Sequence, residues 1–234
     1  MTTLAPPATA RSALFRLLAL GFAPPSAETL AEIEGLADAL AGLPGVPAEV
    51  EDVRRSARAT GVESLAGAYQ WLFGGSVRVA PYEGSYERDP IRQGRQLADV
   101  AGFYRAFGAE AHGPASERPD HAGCELEFLS FLELRALAAA EAGDEAGATL
   151  VEEIAGTFLY DHAGRWLPTF FAQVRDAGAG GAPFYRALAA LGERVLAEEL
   201  ARRGLEVTPV PAERRRLAVE GDAFECGPAG QAWP

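Results

Sequence analysis

Four ionisable residues stand close together in the segment Glu117-Arg118-Pro119-Asp120-His121-Ala122-Gly123-Cys124-Glu125-Leu126-Glu127-Phe128-Leu129: Asp120, His121, Glu125 and Glu127. Carboxylates so grouped can accept an arginine fork in paired hydrogen bonds. His121 and Glu125 are four apart and share one face of a helix. That pair is half of a carboxylate-bridged metal site. Such helical sites use a Glu-x-x-His from each of two helices, and neither His112 nor His162 completes the spacing. A Gly-x-Ser-x-Gly nucleophile elbow is absent from the chain. So is a phosphate loop of the Gly-x-x-x-x-Gly-Lys-Ser/Thr kind, since the chain has no lysine. The cluster therefore reads as a polar binding group at the head of an apolar helix.

The helix that must carry it is predicted from Pro119 to about Ala142, the longest and most apolar in the chain. Pro119 suits a first helical turn, where its missing N–H would have no partner. Asp120 then meets the positive end of the helix dipole. Phe128, Leu129, Phe131, Leu132 and Leu134 cover more than one face, so packing on several sides is expected.

Around it, helical spacing recurs. Helices are predicted from Thr9 to Phe22, from Ser26 to about Leu40, from Pro47 to Ala59 and from Val62 to Phe73. Others follow over Ile91–Phe107, Glu145–Asp161 and Pro183–Arg203. Gly164 reads as a turn before a short helix at Trp166–Phe171. Two long connections interrupt the pattern, at 74–90 and 108–118. The first carries Tyr82 and Tyr86, which argue that it packs on something. Asp161-His162 reads as a helix end, outside the site. With no repeat and no convincing strand pair, the expected fold is all-α, a single compact multi-helix bundle over 9–204. Residues 1–8 read as a flexible arm and 205–234 as a weakly ordered tail.

Composition limits the partners. Hydrophobic residues make up 48%, enough for a real core. The net charge of −12 disfavours nucleic acid and suits a cationic ligand. Cys124 and Cys226 form no Cys-x-x-Cys pair, so reduced thiols and a cytoplasmic address are expected. The apolar run Ala13–Phe22 is broken by Arg16 and is too short to span a bilayer.

Three stretches then carry a resemblance: Ala80-Pro81-Tyr82-Glu83-Gly84-Ser85-Tyr86, Leu97 to Gly108, and Glu117 to His121 running into Glu125-Leu126-Glu127-Phe128. Phe158-Leu159-Tyr160-Asp161-His162 with Trp166-Leu167-Pro168 is a weaker echo. Over roughly residues 10–205 the chain resembles the TorD/DmsD/NarJ type of cytoplasmic chaperone, which matures molybdenum-containing redox enzymes. It departs from the common pattern at Gly84 and at Ala122-Gly123-Cys124.

The resemblance implies an all-helical protein that binds the twin-arginine signal peptide of a molybdopterin oxidoreductase catalytic subunit until the cofactor is in place. It implies a peptide site at Pro119, Asp120, His121, Tyr82, Glu83, Tyr86 and Trp71. Glu125 and Glu127 join as further arginine acceptors. No catalysis and no cofactor of its own are expected, and the chain is a monomer or a domain-swapped dimer. Each residue also has a structural reading: Asp120 as a helix-start residue, the glutamates as partners of arginines, the tyrosines as pins for the loop, Trp71 as core. The alternative functions are a small-molecule or metal-handling enzyme built on Asp120, His121 and Glu125, and a scaffolding subunit.

Overall fold

The computed structural model describes residues 6–108 and 118–212. The readings made on residues 1–5, His112, Glu117, Cys226 and the rest of the tail from 213 lie outside the described residues. Helices α1 (Ala8–Phe22), α2 (Ala27–Leu40), α3 (Glu49–Ala59), α4 (Val62–Phe73), α5 (Pro90–Ala106), α6 (Ala122–Glu141), α7 (Glu145–Phe158), α8 (Gly164–Gly178) and α9 (Pro183–Arg203) pack together as an all-α bundle. No helix among the described residues is long and apolar enough to cross a membrane.

The axis of the bundle is α1. Its Leu14, Phe15, Leu17, Leu18 and Phe22 are all buried, and so is Ser12. α6 lies along it most closely. Ser12 Oγ donates to the Ser130 carbonyl at 3.0 Å and Ser130 Oγ donates to the Ser12 carbonyl at 2.9 Å. Two small residues with reciprocal hydroxyl bonds let the backbones approach without leaving a buried polar group unsatisfied. α2 leans on α1 and on α3, and α9 closes the bundle against α3, α8 and α1. α2 opens on a capping box: Ser26 Oγ accepts from Thr29 N at 3.1 Å and Thr29 Oγ1 accepts from Ser26 N at 2.7 Å.

Three features of the chain differ from the sequence-based expectation, each for a physical reason. α6 begins at Ala122, because His121 is its N-cap: the ring Nδ1 accepts from Gly123 N at 3.1 Å. Pro119 and Asp120 therefore form a turn ahead of the helix. α6 spans 20 residues, one fewer than α9. Second, α7 does not end at Asp161. It runs into a π turn, Leu159–Ala163, and on into α8 with helical backbone throughout. Gly164 is not a turn glycine; an added Cβ there would sit 2.4 Å from the Leu159 carbonyl oxygen, so only glycine lets the π turn close. Third, the beginning of the tail is anchored. Val210 N donates to the Arg165 carbonyl at 2.7 Å, Thr169 Oγ1 donates to the Val210 carbonyl, and Leu205 and Val210 pack on the core.

Candidate functional site

The connection between α4 and α5 is a strap drawn down onto the turn before α6. Tyr82 and His121 form an antiparallel bridge. Ala122 N donates to the Pro81 carbonyl and Glu83 N donates to the Asp120 carbonyl, both at 2.9 Å. A short 3-10 turn, Glu83–Tyr86, follows. Tyr86 is buried against Trp166, and its hydroxyl donates to the Ala80 carbonyl at 3.1 Å. The strap thus carries Tyr82, Glu83 and Tyr86 to the head of α6, as the sequence implied, and both tyrosines also pin it there.

Asp120 lies beneath this bridge with 1% of its surface exposed. Its carboxylate is gripped by its near neighbour Arg118 with two arms: Nε to Oδ1 at 3.0 Å and Nη2 to Oδ2 at 2.8 Å. Gly84 N adds a third donor to Oδ2 at 3.1 Å. The Arg118 guanidinium carbon also stands 5.0 Å from the centre of the Tyr82 ring, within cation–π range. Gly84, where the sequence breaks the family pattern, has a clear role. A Cβ there would lie 3.1 Å from Asp120 Oδ2 and 3.4 Å from Arg118 Nη2.

Glu83 points the other way, into the bundle, and meets His162. His162 Nδ1 is 3.0 Å from Glu83 Oε2, and Nε2 is 3.3 Å from Asp99 Oδ2. Burial works against a charged imidazole here. The Glu83 hydrogen bond and the charges of Glu83 and Asp99 outweigh it, and the His162 pKa rises above its ordinary value. The π turn aims this histidine inward. The sequence reading left His162 outside the site.

Glu125 is fully enclosed. Its Oε2 accepts from Trp166 Nε1 at 2.9 Å and its Oε1 has no hydrogen-bond partner. Burial, followed by the nearby Glu83 charge, drives its pKa well above the ordinary glutamate value. Tyr104 closes the floor by donating to the Pro119 carbonyl at 2.8 Å.

The remaining expected residues separate. Glu127, two positions from Glu125, faces outward and pairs with Arg16, which also holds Glu32. Trp71 is 38% exposed, with the Arg78 guanidinium 4.4 Å from its ring centre, so it is not core. It lies beside Gly180, beyond the far end of α8 from Trp166. At 1.5 Å per residue that places it roughly 20 Å from the Glu125 contact, outside the cluster. Pro119 is half-buried in its turn.

Of the carboxylates expected to accept a partner's arginines, Asp120, Glu83 and Glu125 do not lie open to solvent. Asp120, His121, Glu125, Glu83 and Tyr86 are all buried: Arg118 covers Asp120, Glu125 and Tyr86 pack on Trp166, and Glu83 turns in to His162. The sequence could not show this, since it could not say what the strap lies on. Two clefts open elsewhere among the described residues. One of about 450 Å3 lies between α1 and α9, and one of about 660 Å3 between α7 and α9. Neither is lined by Asp120, His121 or Glu125. They flank a second buried ionic centre, in which Arg11, Arg202 and Arg203 hold Glu133 and Glu199. Among the described residues no group of three His, Cys, Asp or Glu is placed to hold a metal ion.

Known proteins share this arrangement of chain. A profile of the nitrate reductase delta subunit family matches residues 24–172, a range that takes in the whole network from Tyr82 to Trp166. A selenate reductase assembly chaperone protein from Thauera selenatis is 34% identical over 134 residues, 56% of this chain and 68% of that one. A chlorate reductase assembly chaperone protein from Ideonella dechloratans is 36% identical over 115 residues, 48% of this chain and 58% of that one. The crystal structure of a candidate redox enzyme maturation protein from Archaeoglobus fulgidus has the same fold. Its TM-score is 0.56 at 22% identity, covering 80% of this chain and 93% of that one.

Proposed function

The chain belongs to the nitrate reductase delta subunit family, and on that footing we propose that it is an assembly chaperone for a molybdenum-containing oxidoreductase, one that binds the client's twin-arginine signal peptide before export. Two curated relatives carry assembly-chaperone names, each for a reductase. The observation that carries the peptide reading is the seat at Asp120. A carboxylate with both oxygens presented to one guanidinium, beside an aromatic ring, is what recognition of an arginine side chain needs.

A leader peptide offers two guanidinium groups and then an apolar stretch. Its first contacts fall on what is accessible there: the half-buried Tyr82 ring and the exposed Arg118 side chain that covers Asp120. Deeper contact with Glu83 or His121 requires the strap to lift. The strap is held by the Glu83–His162 pair and the Tyr82–His121 bridge, so lifting it is a discrete step. Binding of this kind holds the client back while its cofactor is inserted, and it needs no chemistry from the chaperone.

The alternative, a small-molecule or metal-handling enzyme on Asp120, His121 and Glu125, has less support. Asp120 is engaged by Arg118, His121 caps α6, and Glu125 is enclosed and bonded to Trp166. Deleting the chain from its host tests the proposal. One molybdenum oxidoreductase should lose cofactor content and exported activity, and both should return with the wild-type chain. Unchanged cofactor content in every such enzyme of the host contradicts it.

A further inference from the structure

We propose that Arg118 is a built-in occupant of the guanidinium seat, which an incoming arginine must displace; this rests on the peptide reading of that seat. The two halves of the pair are held very differently. The Asp120 carboxylate is buried and fixed from behind by Gly84 N at 3.1 Å and by the Tyr82–His121 bridge. The Arg118 side chain covers it from the solvent side and is 53% exposed. One partner is thus part of the body, and the other is a stopper reachable from outside.

The stopper imitates the ligand. Its Nε and Nη2 take both carboxylate oxygens at 3.0 and 2.8 Å, and its plane lies by the Tyr82 ring. A client arginine has the same fork and would make the same bonds. Arg118 is only two positions from Asp120, so the tether gives it a high effective concentration at the seat. An external arginine therefore sees a seat that is free for a fraction of the time, and its apparent affinity falls by that fraction. Gly84 belongs to the same device. A side chain there would crowd both Asp120 Oδ2 and Arg118 Nη2, so the bare glycine leaves room for whichever guanidinium is seated. Self-occupancy also keeps the buried carboxylate paired when no client is present, avoiding an uncompensated buried charge. It discriminates as well, because a lysine cannot replace a two-armed fork.

The test uses the full chain and two probes. Arg118→Ala should bind ethylguanidinium, seen as a rise in melting temperature at concentrations too low to denature. The wild type should not respond, and ethylammonium should stabilise neither. In calorimetry, Arg118→Ala should bind a peptide carrying paired arginines and an apolar run about tenfold more tightly than the wild type. Arg118→Lys, which keeps the charge and loses the fork, should fall between them and carries the test alone if the alanine variant does not fold. Equal or weaker peptide binding by these variants overturns the proposal, as does indifference of Arg118→Ala to ethylguanidinium. If ethylguanidinium fills the seat but no form of the chain binds the peptide, the self-occupied seat stands and the signal-peptide reading falls.

Discussion

Glu83 and His162 are 79 positions apart and meet in the interior at 3.0 Å, each with 2% of its surface exposed. The pair joins the strap to the π turn between α7 and α8.

Breaking one side of that pair leaves the other buried without its partner. Glu83→Gln and His162→Gln should each destabilise by about 3–5 kcal/mol. The double variant should cost less than the sum of the two by about 0.5–3 kcal/mol. Urea unfolding of the four proteins checks this. Strict additivity would mean that the contact does not couple the strap to the turn.

Stability should fall as pH rises, through two groups in turn. Glu125 keeps its proton in the fold after the unfolded chain has released its own, so its contribution is whole below 4.5, the ordinary glutamate value, and drains away above it. His162 also has a raised pKa in the fold, so its contribution is whole below its ordinary 6.5 and is lost above that. Glu125→Gln keeps the shape of the neutral acid and an acceptor for Trp166 Nε1. It should make the decline that begins near 4.5 shallower and leave the part due to His162 in place. Denaturation midpoints across pH, for the wild type and the variant, decide the matter. Parallel curves would mean that Glu125 is ionised in the fold.

Gly192 on α9 faces the Phe171 ring of α8, and a Cβ there would fall 2.8 Å from the ring edge. Gly192→Ala should therefore push the two helices apart and cost about 1–3 kcal/mol. A melting temperature equal to the wild type would show that the ring has room to give.

The helices were legible because their apolar positions recur every three to four residues, as Leu14, Leu17 and Leu18 do in α1 and Leu126, Leu129 and Leu132 in α6. The head of α6 was less legible. Pro119, Asp120 and His121 are all acceptable start residues, and only the bond from Gly123 N to His121 Nδ1 decides among them. His162 was misplaced because a π turn shifts the register of every later side chain, and its sequence mark, Gly164, also reads as a simple turn. Glu125 and Glu127 looked alike in the sequence. Two positions on a helix point to opposite sides, so one is sealed against Trp166 and the other pairs with Arg16 in solvent. Arg118 drew no attention, since nothing local says that its side chain folds back on Asp120.

Calorimetric titration of the full chain with a twin-arginine leader peptide tests the central claim most directly. The account predicts binding that weakens with added salt, because arginine–carboxylate attraction is screened. It predicts a loss of at least about tenfold when both peptide arginines become lysine or when Asp120 becomes asparagine. Equal affinity for the Asp120→Asn chain and the wild type, with no preference for arginine over lysine, would contradict it.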